Sequence, residues 1–315
     1  MPKDISSAVE TASSDRPRGR GAAMRRLLRV IWRDKAALIG GLFVLLMFVL
    51  AFFPEFFSTH SPTRPTVERL QPPSFEHFMG TDQFGRDIYS RVVHASQVSA
   101  TVGLMTVTLA LLLGIPLGAI AGLISPHWLD NIIMRVMDVM MAFPPIILAI
   151  AVVAALGTSP VNIGPITIPH IAKLMFVIGI LYVPQIARIV RSSVLTEKQE
   201  QYVLAERALG SGEMRILFKE VLRNCLSPVM VHATLLVANA IIAEAALSFL
   251  GLGIQPPQPS WGGMLSEARD FVARGEWWMT VFPGLCIFIA VLSLNTVGDS
   301  LRDVLDPRQI TQREG

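Results

Sequence analysis

The chain has 315 residues, 52% of them apolar and only 16% charged, with a mean hydropathy of +0.51. Soluble domains usually carry about 25% charged residues, so the composition excludes an ordinary soluble enzyme or nucleic-acid-binding domain and indicates an integral membrane protein. The net charge of +3 does not restore a nucleic-acid reading, because much of the positive excess sits before the first apolar segment, where it acts as an orientation signal.

The first 35 residues hold Lys3, Arg16, Arg18, Arg20, Arg25, Arg26, Arg29, Arg33 and Lys35. They read as a basic cytoplasmic tail, disordered up to about Arg20, where Ser, Arg, Gly and Ala dominate. The apolar run that follows is too long and too late for a cleaved signal peptide. Six segments are then long enough to cross a hydrocarbon core of about 30 Å, which needs roughly 20 helical residues. They lie at 36–57, 99–124, 132–156, 171–190, 228–252 and 279–299. The expected architecture is all-α: a first transmembrane helix at 36–57, an extracytoplasmic segment at 58–98, a core of five further helices within 99–300, and a cytoplasmic C-terminal tail at 301–315. With the basic tail inside, 20 of the 27 Lys and Arg fall inside and 7 outside, an asymmetry that favours this topology over its inverse.

The outer segments are patterned. Residues 58–98 are proline-rich and contain the polar run Met79-Gly80-Thr81-Asp82-Gln83-Phe84-Gly85-Arg86-Asp87, and a second proline-rich stretch precedes Trp261. Trp261, Trp277 and Trp278 suit the water interface, with rings at headgroup level. In the second span Gly114, Gly118 and Gly122 form one face of small residues that lets another backbone approach closely. Pro116, Pro144 with Pro145, and Pro184 are expected to kink three consecutive spans.

The segment 191–227 is the longer of the two cytoplasmic interruptions between spans. Thr196 with Gln199 three residues on reads as a capping box that starts a helix. Gly210 is placed to close it in the left-handed conformation, and Ser211 to cap a second helix whose Met214, Leu217, Phe218, Val221 and Leu222 share one face. A helix, a glycine corner and an amphipathic helix between two spans suit contact with a soluble partner.

Within the spans, Glu244 is the most telling polar residue, since a carboxylate at membrane depth costs about 2.5 to 3.5 kcal/mol. It reads either as a packing contact bonded to Ser248 one turn on, or as part of a translocation pathway that Ser248 and Asn239 also line. No P-loop sequence is present, so the chain does not bind ATP in that manner. The six histidines, at 60, 77, 94, 127, 170 and 232, are dispersed in sequence and no zinc motif is present, so no metal site is expected. No nucleophile motif appears either; neither a catalytic residue nor a cofactor is expected in this chain. Cys225, read as lying in a polar loop, and Cys286, in a span, imply no disulfide.

Several stretches resemble a known family: Arg33-Asp34-Lys35-Ala36-Ala37-Leu38-Ile39-Gly40, GTDQFGRDIYSR at 80–91, MRVMDVMMAFPPIILAI at 134–150, the loop ending at Gly210, IIAEAALSFLGLGIQPPQPSWGGML at 241–265, and NTVGDSLRDVLDPR at 295–308. In this order they resemble the C-type permease subunits of ABC importers for dipeptides, oligopeptides and nickel. The resemblance implies a type I ABC importer (MetI-like) permease fold in a bacterial inner membrane. It also implies that the loop is an EAA loop whose first helix, through Gln201, Tyr202, Ala205, Glu206, Ala208, Leu209 and Gly210, couples to a cytoplasmic ATPase. Ala205, Ala208 and Gly210 match the motif. Leu204 replaces its glutamate, Glu206 an alanine, and Arg223 a proline that commonly ends the loop. The implied partners are a homologous second permease, two ATPase subunits that bind ATP and Mg²⁺, and a solute-binding protein that delivers peptide; transport proceeds by alternating access. Glutathione or nickel are alternative cargoes. A secondary transporter would predict internal repeats and midplane charges, and a scaffold would not explain the paired-helix loop.

Overall fold

Long apolar runs make helices here because a backbone in hydrocarbon must satisfy its own hydrogen bonds. The computed structural model describes residues 35–163 and 165–305. The basic tail expected to be disordered, and the end of the C-terminal tail, lie outside the described residues.

The elements in order are α1 (Lys35–Phe52), the single turn α2 (Pro54–Phe57), α3 (Ile88–Ile124), α4 (Trp128–Met141), α5 (Pro145–Leu156), the strands β1 (Val161–Ile163) and β2 (Ile166–Ile168), α6 (His170–Glu197), α7 (Gln201–Ala208), α8 (Glu213–Ile216), a π turn (Leu217–Val221), α9 (Leu222–Phe249), α10 (Trp261–Ala268), a 3-10 turn (Val272–Arg274) and α11 (Trp278–Leu305). β1 and β2 pair antiparallel with Val161 opposite Ile168. Five helical stretches are long and apolar enough to cross a membrane, and α4 with α5 forms a sixth in two pieces.

In that sixth stretch the kink expected at Pro144 and Pro145 is a full break. α4 and α5 meet at 85°. Pro144 and Pro145 both lack an N–H, and each forces the residue before it out of the helical region; Pro144 itself sits at φ −55°, ψ 127°. Pro116 and Pro184, by contrast, lie inside the continuous helices α3 and α6. The second span is also longer than expected, because α3 starts at Ile88, capped by Asp87, whose side chain accepts the Ser90 N–H at 2.8 Å. At the other end of the bundle the fifth span extends down to Glu213 through the π turn.

α3 packs most extensively against α6, through the glycine stripe. A Cβ built on Gly114 would lie 2.7 Å from Ile186, one on Gly122 2.8 Å from Val194, and one on Gly118 would strike the Ala187 carbonyl oxygen. Gly114, Gly118 and Gly122 are therefore required by the contact of two backbones. The core runs along this pair and takes in α9 and α11.

The bundle has two unlike ends. The cap end carries residues 53–87, the β-hairpin and residues 250–277. The hairpin end carries residues 125–127 and the α7–α8 pair.

Candidate functional site

At the hairpin end α7 is held by contacts its sequence only partly announces. Val203 is fully buried and pins one face. The Tyr202 hydroxyl donates to Glu197 of α6 at 2.5 Å, and Asn224 of α9 donates to the Tyr202 oxygen at 2.9 Å and to Glu197 at 3.1 Å. Partial burial, then the Glu197 carboxylate, push the Tyr202 phenol up to about 12, so it stays protonated and keeps donating. One tyrosine thus joins the short helix to both long ones. Lys198 donates to the carbonyls of Gly122 and Leu123, at 3.0 and 2.7 Å, and places a cation at the C-terminal end of α3. Asp130 of α4 accepts two bonds of 2.7 Å from Arg191 of α6.

The opposite face of α7 is open. Gln201, Tyr202, Leu204, Ala205, Ala208, Leu209 and Gly210 are all exposed, Leu209 to 81% and Leu204 to 53%. Glu206 is half-buried and accepts from Ser211 at 2.6 Å. Gly210 has φ +82° and turns the chain in the left-handed region that favours glycine.

Two expected caps are not made. α6 runs on through Thr196, whose hydroxyl donates back to Ser192 O at 3.1 Å, so the Thr196–Gln199 box is absent and α7 starts after Glu200 without a side-chain cap. Ser211 is spent on Glu206, and Gly212 is the N-cap of α8. The expected single face also splits: Leu217 and Val221 are buried, whereas Met214 and Phe218 are more than half exposed. The π turn adds a residue to the turn and changes the phase of the apolar positions. Cys225, expected in a polar loop, is buried in α9.

The three polar residues singled out on the fifth span fall in different places. Asn239 is exposed and lines a cleft of about 250 Å³ between α5, α6 and α9, together with Tyr182, Gln185, Pro145 and Ile146. Gln185 is further tied to His232 at 3.2 Å. Glu244 is fully buried on the far side, near the cap end. It accepts from Ser248 at 2.6 Å, and the Ser248 oxygen accepts the Ile254 N–H at 3.0 Å. The two residues hold the turn that follows α9, while Glu244 Oε2 has no partner among the described residues.

The cap end closes over itself. Asp82 accepts from Arg86 Nε at 2.6 Å, and Glu267 of α10 accepts from Arg86 at 2.6 Å and Arg91 at 3.0 Å. Trp278 donates to Thr81 O at 3.2 Å and Trp261 to Val92 O at 3.1 Å. These two tryptophans, expected as interface anchors, are 7% and 3% exposed. They bury their rings in protein because their N–H groups find backbone acceptors there; of the three expected anchors Trp277 alone is on the surface, at 51%. His60 and His77, distant in sequence, come together with ring centroids 4.8 Å apart.

A bundle of apolar helices with a self-sealed end, an exposed helical corner at the other and a lateral cleft defines a multi-pass membrane transport component rather than an enzyme. Residues 114–311 match the family described as binding-protein-dependent transport system inner membrane component, and residues 23–73 match the N-terminal TM domain of oligopeptide transport permease C. The chain is 41% identical to the dipeptide transport system permease of Alkalihalophilus pseudofirmus, over 90% of each chain. It is 41% identical to the di/tripeptide transport system permease of Pseudomonas aeruginosa, over 89% of this chain and 92% of the other. With the glutathione transport system permease of Pectobacterium atrosepticum the identity is 39%, over 90% and 91%. The chain belongs to the binding-protein-dependent transport system inner membrane components, and has their type I importer permease fold.

Proposed function

We propose that this chain pairs with a homologous permease to form the membrane pathway of a peptide importer. In this reading a solute-binding protein delivers the peptide at the cap end, and two ATPase subunits, which bind ATP and Mg²⁺ themselves, dock on α7. The observation that carries the reading is the exposed face of α7. Leu204 and Leu209 stand in water on a helix whose other face is anchored to α6 and α9, a place where apolar side chains gain by a partner's groove. The excess of Lys and Arg on that side supports placing the hairpin end and both termini in the bacterial cytoplasm. Peptide cargo is supported by the names of the relatives at 41% identity. We assign Asn239 and Gln185 to the pathway wall, since their amides can exchange hydrogen bonds with a passing peptide backbone. Glu244 and Ser248 keep the turn after α9 in shape beside it.

Gly210→Pro tests the docking. Proline cannot adopt φ +82°, so the corner is reset while the spans are untouched. The variant is expected to reach the membrane at the normal level and to lose uptake of a labelled dipeptide, with ATP hydrolysis no longer responding to the loaded binding protein. Wild-type uptake together with wild-type recovery of the ATPase would overturn the assignment. A second cargo, glutathione, is favoured by the relatives at 39 to 40% identity that carry it in their names; competition between unlabelled glutathione and dipeptide separates the two.

A further inference from the structure

We propose that His60, His77 and Asp87 form a zinc site at the cap end. One donor atom from each lies within 4.8 Å of the other two. His77 Nδ1 is 2.9 Å from Asp87 Oδ1, and His60 Nδ1 is 3.9 Å from Asp87 Oδ2. Two imidazoles and a carboxylate suit zinc, whereas Mg²⁺ and Ca²⁺ call for oxygen donors throughout.

The surroundings are those of a site and not only of a cluster. His77 Nε2, the nitrogen that would face away from a metal, is 3.2 Å from Glu68 Oε2. A carboxylate on the far nitrogen fixes the ring of a ligating histidine and raises its basicity. Asp87 is held in the same way: its Oδ2 accepts from the Ser90 N–H at 2.8 Å and from the Ser90 hydroxyl at 2.7 Å. His77 and Asp87 are buried, at 5% and 2% exposure, while His60 is exposed and bonds through Nδ1 to the Thr59 hydroxyl at 3.0 Å. Zinc binds nitrogen and oxygen at about 2.0 to 2.2 Å, which sets neighbouring donors roughly 3.4 Å apart. The 2.9 Å contact of His77 Nδ1 with Asp87 Oδ1 is a hydrogen bond, so a metal would replace its proton and part the two atoms by roughly 0.5 Å, while the accessible His60 ring swings in. All three residues line a cavity of about 410 Å³, so a fourth position stays open to water or to a group from a partner. Arg64 lines the same cavity but is exposed, and solvent and salt weaken its repulsion. A metal here would clip the chain just after α2 to the first turn of α3.

The test uses the complete transporter carrying no polyhistidine tag, stripped with a chelator and titrated with zinc in a detergent or nanodisc. Wild type is expected to take up one more zinc per copy of this chain than His60→Ala, whose affinity at the site falls at least about tenfold. Zinc should raise the melting temperature of wild type alone, with the two proteins melting alike when metal-free. His77→Gln should also lose the zinc; if that variant fails to fold, the exposed His60 decides. Equal zinc content and affinity in wild type and His60→Ala, or a zinc-induced melting shift common to both, would overturn the site.

Discussion

The two ends of the bundle carry ion clusters of different kinds. At the cap end one cluster is inside: Arg86 and Arg91 have side chains only 6% and 2% exposed, and both reach Glu267, which lies 181 and 176 residues away. At the hairpin end Asp130 is buried against Arg191, but the pair beside the Gly210 corner, Arg207 with Glu213 six residues on, is local and partly exposed, and Leu204, Leu209, Met214 and Phe218 stand exposed around it. Apolar side chains stand exposed at the cap end too, Phe56, Val67 and Phe75 among them. What distinguishes the hairpin end is that its exposed leucines sit on and beside a short helix pinned from behind to α6 and α9.

Three substitutions would break or sharpen this contrast. The largest effect is expected of Glu267→Ala, which leaves Arg91 only its longer 3.7 Å pair with Asp82 and weakens the hold on Arg86; breaking a buried pair by removing one partner costs about 3 kcal/mol or more. Thermal unfolding of the detergent-solubilised protein should show it, and a loss of under 1 kcal/mol would mean the cluster is wetter than its burial indicates. Arg207→Ala removes a partly exposed pair and should cost less than about 1 kcal/mol in the same measurement. Leu209→Asp should change stability by no more than about 0.5 kcal/mol, yet abolish uptake by the assembled transporter. A Leu209→Asp protein that melts early and still transports would reverse the roles given to the two ends.

Much of this was legible in the sequence, for reasons tied to particular residues. The glycine stripe at 114, 118 and 122 is periodic, and its meaning as a close helix contact is local to α3. Gly210 is legible because few other residues accept a left-handed corner. Thr196 and Ser211 misled, because a hydroxyl at the right spacing caps only if nothing nearer competes for it, and Ser192 O and Glu206 do. Trp261 and Trp278 misled because their acceptors, Val92 O and Thr81 O, are 169 and 197 residues distant. The His60–His77 meeting likewise has no local signature. In the double proline the break was visible but its size was not: the residues announce a lost hydrogen-bond ladder, while the 85° angle depends on what α5 packs against.

The close seam of α3 and α6 has a mechanical consequence. With 37 residues α3 is about 55 Å long, and along its hairpin half it contributes no side chains at Gly114, Gly118 and Gly122, where Ile186, Ala187, Val190 and Val194 of α6 rest on its backbone. Lys198 grips the end of α3 and Tyr202 the base of α6, so the chain around α7 is tied to both helices of the seam. A tilt of about 5° at that end would move the far end of a helix this long by roughly 5 Å.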